Sequence, residues 1–149
     1  RVMNNLASIC LNLELNREAL AYANQALNRK ADYVSAMVNA GIAQGRMGNG
    51  TAAQALLARA VTIEPANRQA LYNLALEHER SNALEDAINN WRRLSDAGDA
   101  RGLLGMARIR ERRDEKRDAL RLYREVVADP NAGQAVKETA RERISILDR

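Results

Sequence analysis

Along almost the whole chain, apolar residues recur three and four positions apart, the spacing of one face of an α-helix. Short breaks interrupt this pattern at Leu15-Asn16, Gly48-Asn49-Gly50, Ser81-Asn82 and Arg113-Asp114. A second set alternates with them: Lys30-Ala31-Asp32, Glu64-Pro65-Ala66-Asn67, Ala97-Gly98-Asp99 and Asp129-Pro130-Asn131. Gly, Asn and Asp are turn formers, and a proline just past a helix end cannot continue that helix. The pattern predicts helices at about 2–14, 17–29, 33–47, 51–63, 67–81, 84–96, 100–113, 116–128 and 133–147.

The pattern also repeats. The segment Leu6-Ala7…Ala19…Ala23…Ala26 returns as Ala40-Gly41…Ala53…Leu57…Ala60, followed by Pro65. An equal step onward gives Leu74-Ala75…Ala87…Trp91…Leu94. A slightly shorter step then gives Met106-Ala107…Ala119…Tyr123…Val126, followed by Pro130. Two slots always hold a small residue: Ala7, Gly41, Ala75, Ala107 and Ala19, Ala53, Ala87, Ala119. Antiparallel helices approach closely only where side chains are small, so these slots belong at helix crossings. The large residues Leu57, Trp91 and Tyr123 then fill the space between one helix pair and the next, and stability comes from stacking neighbours.

Repeats of this length and composition resemble the tetratricopeptide (TPR) family. The third unit carries the resemblance most fully, with Leu71-Tyr72-Asn73-Leu74-Ala75, then Ala87, Trp91 and Leu94. The second carries Gly41, Ala53, Leu57, Ala60 and Pro65. Departures are Met3, Met37, Leu71 and Leu103 where the family has a Trp, and a fourth unit that arrives early. The resemblance implies an all-α fold, a right-handed α-solenoid of antiparallel helix pairs. It divides the chain into four pairs at about 1–32, 33–66, 67–98 and 99–131. Residues 132–149 follow as a capping helix, with Ala135, Val136, Ala140, Ile144 and Leu147 as its apolar stripe. The first residue is Arg1, not Met, at what reads as a helix already under way, so the chain is expected to be a fragment of a longer protein, open to stacking on itself through its N-terminal end.

Composition supports a helical chain: Ala and Leu abound, Phe is absent and aromatics are 3%. The single Cys10 permits no intrachain disulfide, and the single His78 argues against a histidine-ligated metal or a Ser-His-Asp arrangement. The reading therefore names no cofactor, no metal and no catalytic residue. No apolar run approaches the roughly 20 residues that span a bilayer. The compartment stays open between cytoplasm and a periplasmic or membrane-tethered setting. Residues 1–100 carry 10 basic and 10 acidic side chains, whereas residues 101–149 carry 13 and 9. The whole net charge of +4 thus lies in the last third, with the two signs interspersed.

In the TPR family the first helix of each pair lines a concave groove. Transferred slot by slot, the candidates here are Asn5 and Ser8, then Val38, Asn39, Ile42 and Arg46, then Tyr72, Asn73, Leu76 and Arg80, then Arg101, Arg108 and Arg112. Asn5, Asn39 and Asn73 share one slot, and a ladder of amides can bond the backbone of an extended peptide. The family's carboxylate clamp needs basic residues at slots that here hold Asn4, Ser8, Asn39, Gln69 and Asn73, so that clamp is rejected. The groove reads as polar at its start, apolar in the middle and basic at its end. A protein or peptide partner with an acidic segment fits it. The expected function is a protein–protein interaction scaffold with no small-molecule substrate. Family analogy points to bacterial secretion, pilus or envelope assembly. The alternative is nucleic-acid or acidic-partner binding through the Arg-rich last third. Nucleic acid is the weaker of these, because only Tyr123 is available there to stack on a base.

Overall fold

The computed structural model describes residues 1–149 and is all helix and turn. The helices are α1 (Val2–Asn12), α2 (Asn16–Arg29), α3 (Val34–Arg46), α4 (Gly50–Ile63), α5 (Arg68–Arg80), α6 (Leu84–Asp96), α7 (Arg101–Arg112), α8 (Lys116–Ala128) and α9 (Gln134–Leu147). None is long and apolar enough to cross a membrane. The chain divides into two compact units, Arg1–Asn82 and Ala83–Arg149, a division that falls inside the predicted third pair.

Helices α1, α3, α5 and α7 stop slightly short of their predicted ends because the chain turns left-handed there. Glu14, Gly48, Asn82 and Asp114 all have positive φ, near 60° except for 83° at Gly48. These four turns recur in step with the sequence pattern and carry the repeat into the backbone. At three of them a backbone N–H reaches back into the helix: Leu15 to the Cys10 carbonyl, Asn49 to Gln44 and Glu115 to Arg110. Such bonds satisfy carbonyls that a helix end leaves open. Helices α2, α4 and α8 close differently, passing into extended or near-extended backbone at Lys30, Glu64 and Asp129. Helix α6 departs from these three: it ends through Gly98, at φ 84°, with the Asp99 N–H bonded to the Leu94 carbonyl. This is the junction where the sequence period shortens. At the start of α5 the Asn67 side chain accepts from the Ala70 N–H at 2.9 Å, a side-chain cap of ordinary kind.

In the first unit each helix packs on the next, and α1, α3 and α5 lie side by side. The small slots are at the packing contacts. Ala7, Ala23 and Ala40 form one fully buried cluster; Cys10, Leu11, Ala19 and Ala43 form another. A Cβ on Gly41 would stand 2.7 Å from the Leu57 Cγ, so the absent side chain is what admits Leu57.

In the second unit α6 packs on α7, α7 on α8 and α8 on α9, with α9 also beside α7. Trp91, 1% exposed, lies against Gly105, where a Cβ would meet the indole ring. A Cβ on Gly102 would meet the Trp91 carbonyl and stand 2.5 Å from the Ser95 nitrogen. Two glycines on one face of α7 therefore let it press against the backbone of α6. The rest of this core is Ala107, Ala119, Leu122, Tyr123, Val126 and Ala140. Val136, Ile144 and Leu147 of α9 pack on it, while Ala135 of the expected stripe is exposed. Residues 136, 140, 144 and 147 follow the helical period; Ala135 stands one position off it.

Candidate functional site

The row of first helices in the first unit holds ten of the predicted site residues, and their environments differ. Asn5 and Ser8 on α1 are exposed. Asn39, the next rung of the expected amide ladder, is only 6% exposed. Its Nδ2 donates to the Asn4 Oδ1 at 2.8 Å, so its amide is committed to a bond between α1 and α3. Val38 is 1% exposed and belongs to the core. Asn73 is half-buried and donates to the Gln69 carbonyl of its own helix at 2.8 Å. The uniform ladder expected from the spacing is thus replaced by one exposed, one buried and one half-buried amide. The physical reason is the local partner: Asn39 lies against Asn4 of α1 and is buried by it, whereas Asn73 bonds back to its own helix.

Ile42, Tyr72 and Leu76 are half-buried and give the middle of the row an apolar character. Arg46 donates to the Leu11 carbonyl at 2.7 Å, setting a cation on the C-terminal turn of α1, where the helix dipole favours it. Arg80 pairs with Glu77, a carboxylate on a residue only 6% exposed. From the sequence Glu77 is expected to be one of several acids scattered on exposed faces; the structure buries it, in a slot that elsewhere holds Ile9, Ala43 and Ile109. Room for it comes from Gly45, where a Cβ would strike the carboxylate. The pair borders a cavity of about 420 Å3 formed with Gly48, Gly50, Thr51 and Gln54. Gln54 spans it, donating to the Glu77 carbonyl at 3.2 Å and to the Ser81 hydroxyl at 3.1 Å. At the far edge of α1, Val2, Ile9 and Leu13 expose apolar side chains.

The second unit holds the basic candidates. Arg101 forks onto Asp99, through Nε at 3.0 Å and Nη2 at 2.7 Å, at the start of α7. Arg108 and Arg112 instead line a cavity of about 390 Å3 between α7, α8 and α9. Leu104, Glu111, Tyr123, Thr139 and Arg143 complete its wall. The Arg108 guanidinium stands 5.6 Å from the centre of the Trp91 ring, within cation–π range. Glu111 accepts from the Tyr123 hydroxyl at 2.9 Å and from both the Nε and Nη2 of Arg143. Burial pushes the Glu111 carboxyl up, but the bonds from Arg143 and Tyr123 outweigh it, and the group titrates below its ordinary value. Burial, then the bond to Glu111, pushes the Tyr123 hydroxyl up to about 12. Glu111, Tyr123, Thr139 and Arg143 were not among the sequence candidates. The tyrosine reads from sequence as core, and α9 stands outside the repeat that ranked the candidates.

Tyr123 is 2% exposed, so its ring is not offered to a base. Arg121 pairs with Glu125 at 3.1 Å and Arg124 with Asp148 at 3.1 Å. No group of three His, Cys, Asp or Glu side chains is arranged to hold a metal ion.

Residues 1–33 match the model of the tetratricopeptide repeat family. A search of the curated proteins found no sequence match. Solved structures match over nearly the whole chain. A thermophilic TPR protein from Thermus thermophilus, TTC0263, superposes with a TM-score of 0.80 at 14% identity, over 94% of this chain and 78% of that one. MamA from Desulfovibrio magneticus RS-1 gives 0.76 at 15% identity, over 99% and 92%. PilW, described as a type IV pilus biogenesis factor, gives 0.76 at 23% identity, over 93% of this chain and 65% of its own. At these identities the likeness establishes the fold: an all-α helical repeat of the tetratricopeptide kind.

Proposed function

We propose that this chain, a helical repeat of the tetratricopeptide type, is a protein–protein interaction module that holds an extended peptide or protein segment along its first helices. The observation that supports this reading is the side-by-side row α1, α3 and α5. Along it, exposed polar side chains (Asn5, Ser8) give way to the half-buried Ile42, Tyr72, Asn73 and Leu76. A row of half-buried apolar groups edged by amides and cations suits a segment with an apolar centre. Arg46, bonded to the Leu11 carbonyl, ties α3 to α1 beneath that surface, and Arg80 pairs with Glu77 within α5. The reading assigns no catalytic role. It places the chain as a scaffold component of a larger envelope or pilus assembly, a setting suggested by the likeness to PilW. Nucleic-acid binding is disfavoured, because the one aromatic ring of the basic third is buried and Arg121 and Arg124 are ion-paired.

Capture from native lysate tests the reading. Wild-type protein is compared with an Asn5→Ala, Asn73→Ala, Leu76→Glu variant of unchanged melting temperature. Asn39 is left intact because its amide joins α1 to α3. A partner held by the wild type and lost by the variant is expected. A partner held equally by both would move binding off this row and overturn the assignment.

A further inference from the structure

The cavity between α7, α8 and α9 is a built polar site that the repeat pattern does not account for. Three guanidinium groups, Arg108, Arg112 and Arg143, share its wall with one carboxylate, Glu111. That carboxylate is satisfied from within: Arg143 forks onto it through Nε and Nη2, and the Tyr123 hydroxyl adds a third bond. A guanidinium carries five N–H donors, and the fork onto Glu111 occupies two of the five on Arg143. Cations therefore outnumber anions on the wall, and Arg143 keeps further donors beyond its fork. Leu104 adds an apolar wall, and Trp91 backs Arg108. At about 390 Å3 the space admits a side chain or a chain end, and a half-enclosed site strengthens charge pairing relative to open water.

We propose that this cavity receives a carboxylate from an acidic peptide segment, with Arg143 of the last helix and Arg108 of α7 as its principal anchors and Glu111 as an internal competitor. The proposal rests on the reading of the chain as a peptide-binding module and names the chemistry of one end of the bound segment. Guanidinium forks fit planar carboxylates, and the Glu111–Arg143 pair already shows that geometry within the cavity. The incoming carboxylate bonds the other edge of Arg143 while Glu111 keeps its own. Glu111 therefore orients Arg143 and also opposes the ligand by its charge. The site differs from a clamp built on repeat slots, since Arg143 and Thr139 come from α9, beyond the last repeat.

The experiment is fluorescence anisotropy on the full chain with three labelled peptides. These are Ser-Leu-Glu-Glu-Leu-Ser as the amide, Ser-Leu-Gln-Gln-Leu-Ser as the amide, and the latter as the free acid. Expected is binding of the first or the third over the second, weakened about tenfold or more in Arg143→Gln and in Arg108→Gln. Preference for the first assigns a side-chain carboxylate; preference for the third assigns a chain terminus. Glu111→Gln is the discriminating variant: it keeps an acceptor oxygen to orient Arg143 and removes the competing charge. The acidic peptide should then bind more tightly, and weaker binding would overturn the role of Glu111 as competitor. Equal binding of all three peptides, unchanged in Arg143→Gln, would remove this cavity from peptide recognition while leaving that recognition intact. Binding of none would overturn the carboxylate site and leave the row α1, α3 and α5 to its own capture test. Tighter binding of a short single-stranded RNA, lost in the same arginine variants, would overturn it in favour of phosphate.

Discussion

The two compact units solve the same packing problem with different parts. In the first, helices meet through alanines and through Gly41, which lies under the side chain of Leu57. In the second, α7 meets α6 through Gly102 and Gly105, and the opposing atoms include the backbone of Trp91 and Ser95. Trp91 and Leu57 occupy the same repeat slot, so one larger side chain goes with glycines on the facing helix and a shortened period. The first unit keeps the regular rhythm and offers a mixed polar and apolar row. The second breaks the rhythm, and its cavity carries the charged network. Regular repeat builds the scaffold; departure from it makes room for specific chemistry.

Trp91→Ala should show the largest effect in a chemical denaturation series. Removing a fully buried indole costs about 3–5 kcal/mol, and the rigid glycine wall leaves little scope for collapse. Leu57→Ala is the control in the same slot of the first unit. If Trp91→Ala proved the milder of the two, the close packing described for α6 and α7 would be wrong.

Gly102→Ala against Gly41→Ala sharpens the same contrast. Alanine favours helix over glycine by up to about 1 kcal/mol, which offsets part of any clash. At Gly41 the new methyl meets the side chain of Leu57, which can shift; at Gly102 it meets backbone. Gly102→Ala should therefore lose about 1–3 kcal/mol in thermal melts and Gly41→Ala less. Equal losses would show that α6 and α7 can separate as readily as a leucine can turn.

The smallest effect expected is that of Tyr123→Phe, about 1 kcal/mol, because Arg143 keeps both oxygens of Glu111 bonded when the phenol is lost. Its pH signature is sharper than its size. The folded hydroxyl is raised from the ordinary 10.0 to about 12, so the neutral phenol is favoured by folding. The stabilisation is complete below pH 10.0 and is lost as pH rises towards about 12. Ultraviolet titration should show one tyrosinate forming late, absent in Tyr123→Phe. A late component that persisted in the variant would belong to another tyrosine and detach Tyr123 from Glu111.

Much of this architecture was legible beforehand because it is governed by local spacing. Nine helices, their turns and the small slots follow from the repeat period and from Gly, Asn and Pro at the breaks. Ala7, Ala53 and Ala107 are fully buried at positions read from that period alone. The helix ends shifted at Glu14 and Asp114 because left-handed backbone there is imposed by the turn, not announced by a glycine. Site residues were less legible. Asn5, Asn39 and Asn73 are one slot in sequence and three environments in space, since exposure depends on which helix lies alongside. Glu77 and Arg143 were invisible to slot matching for a related reason: each works through a partner distant in sequence, Gly45 for the room it leaves and Glu111 for its charge. Periodicity determines which face of each helix turns inward, because that choice is made within a few residues. Which inward or bordering polar groups meet, and whether they remain open to a ligand, is decided only when separate helices are brought together.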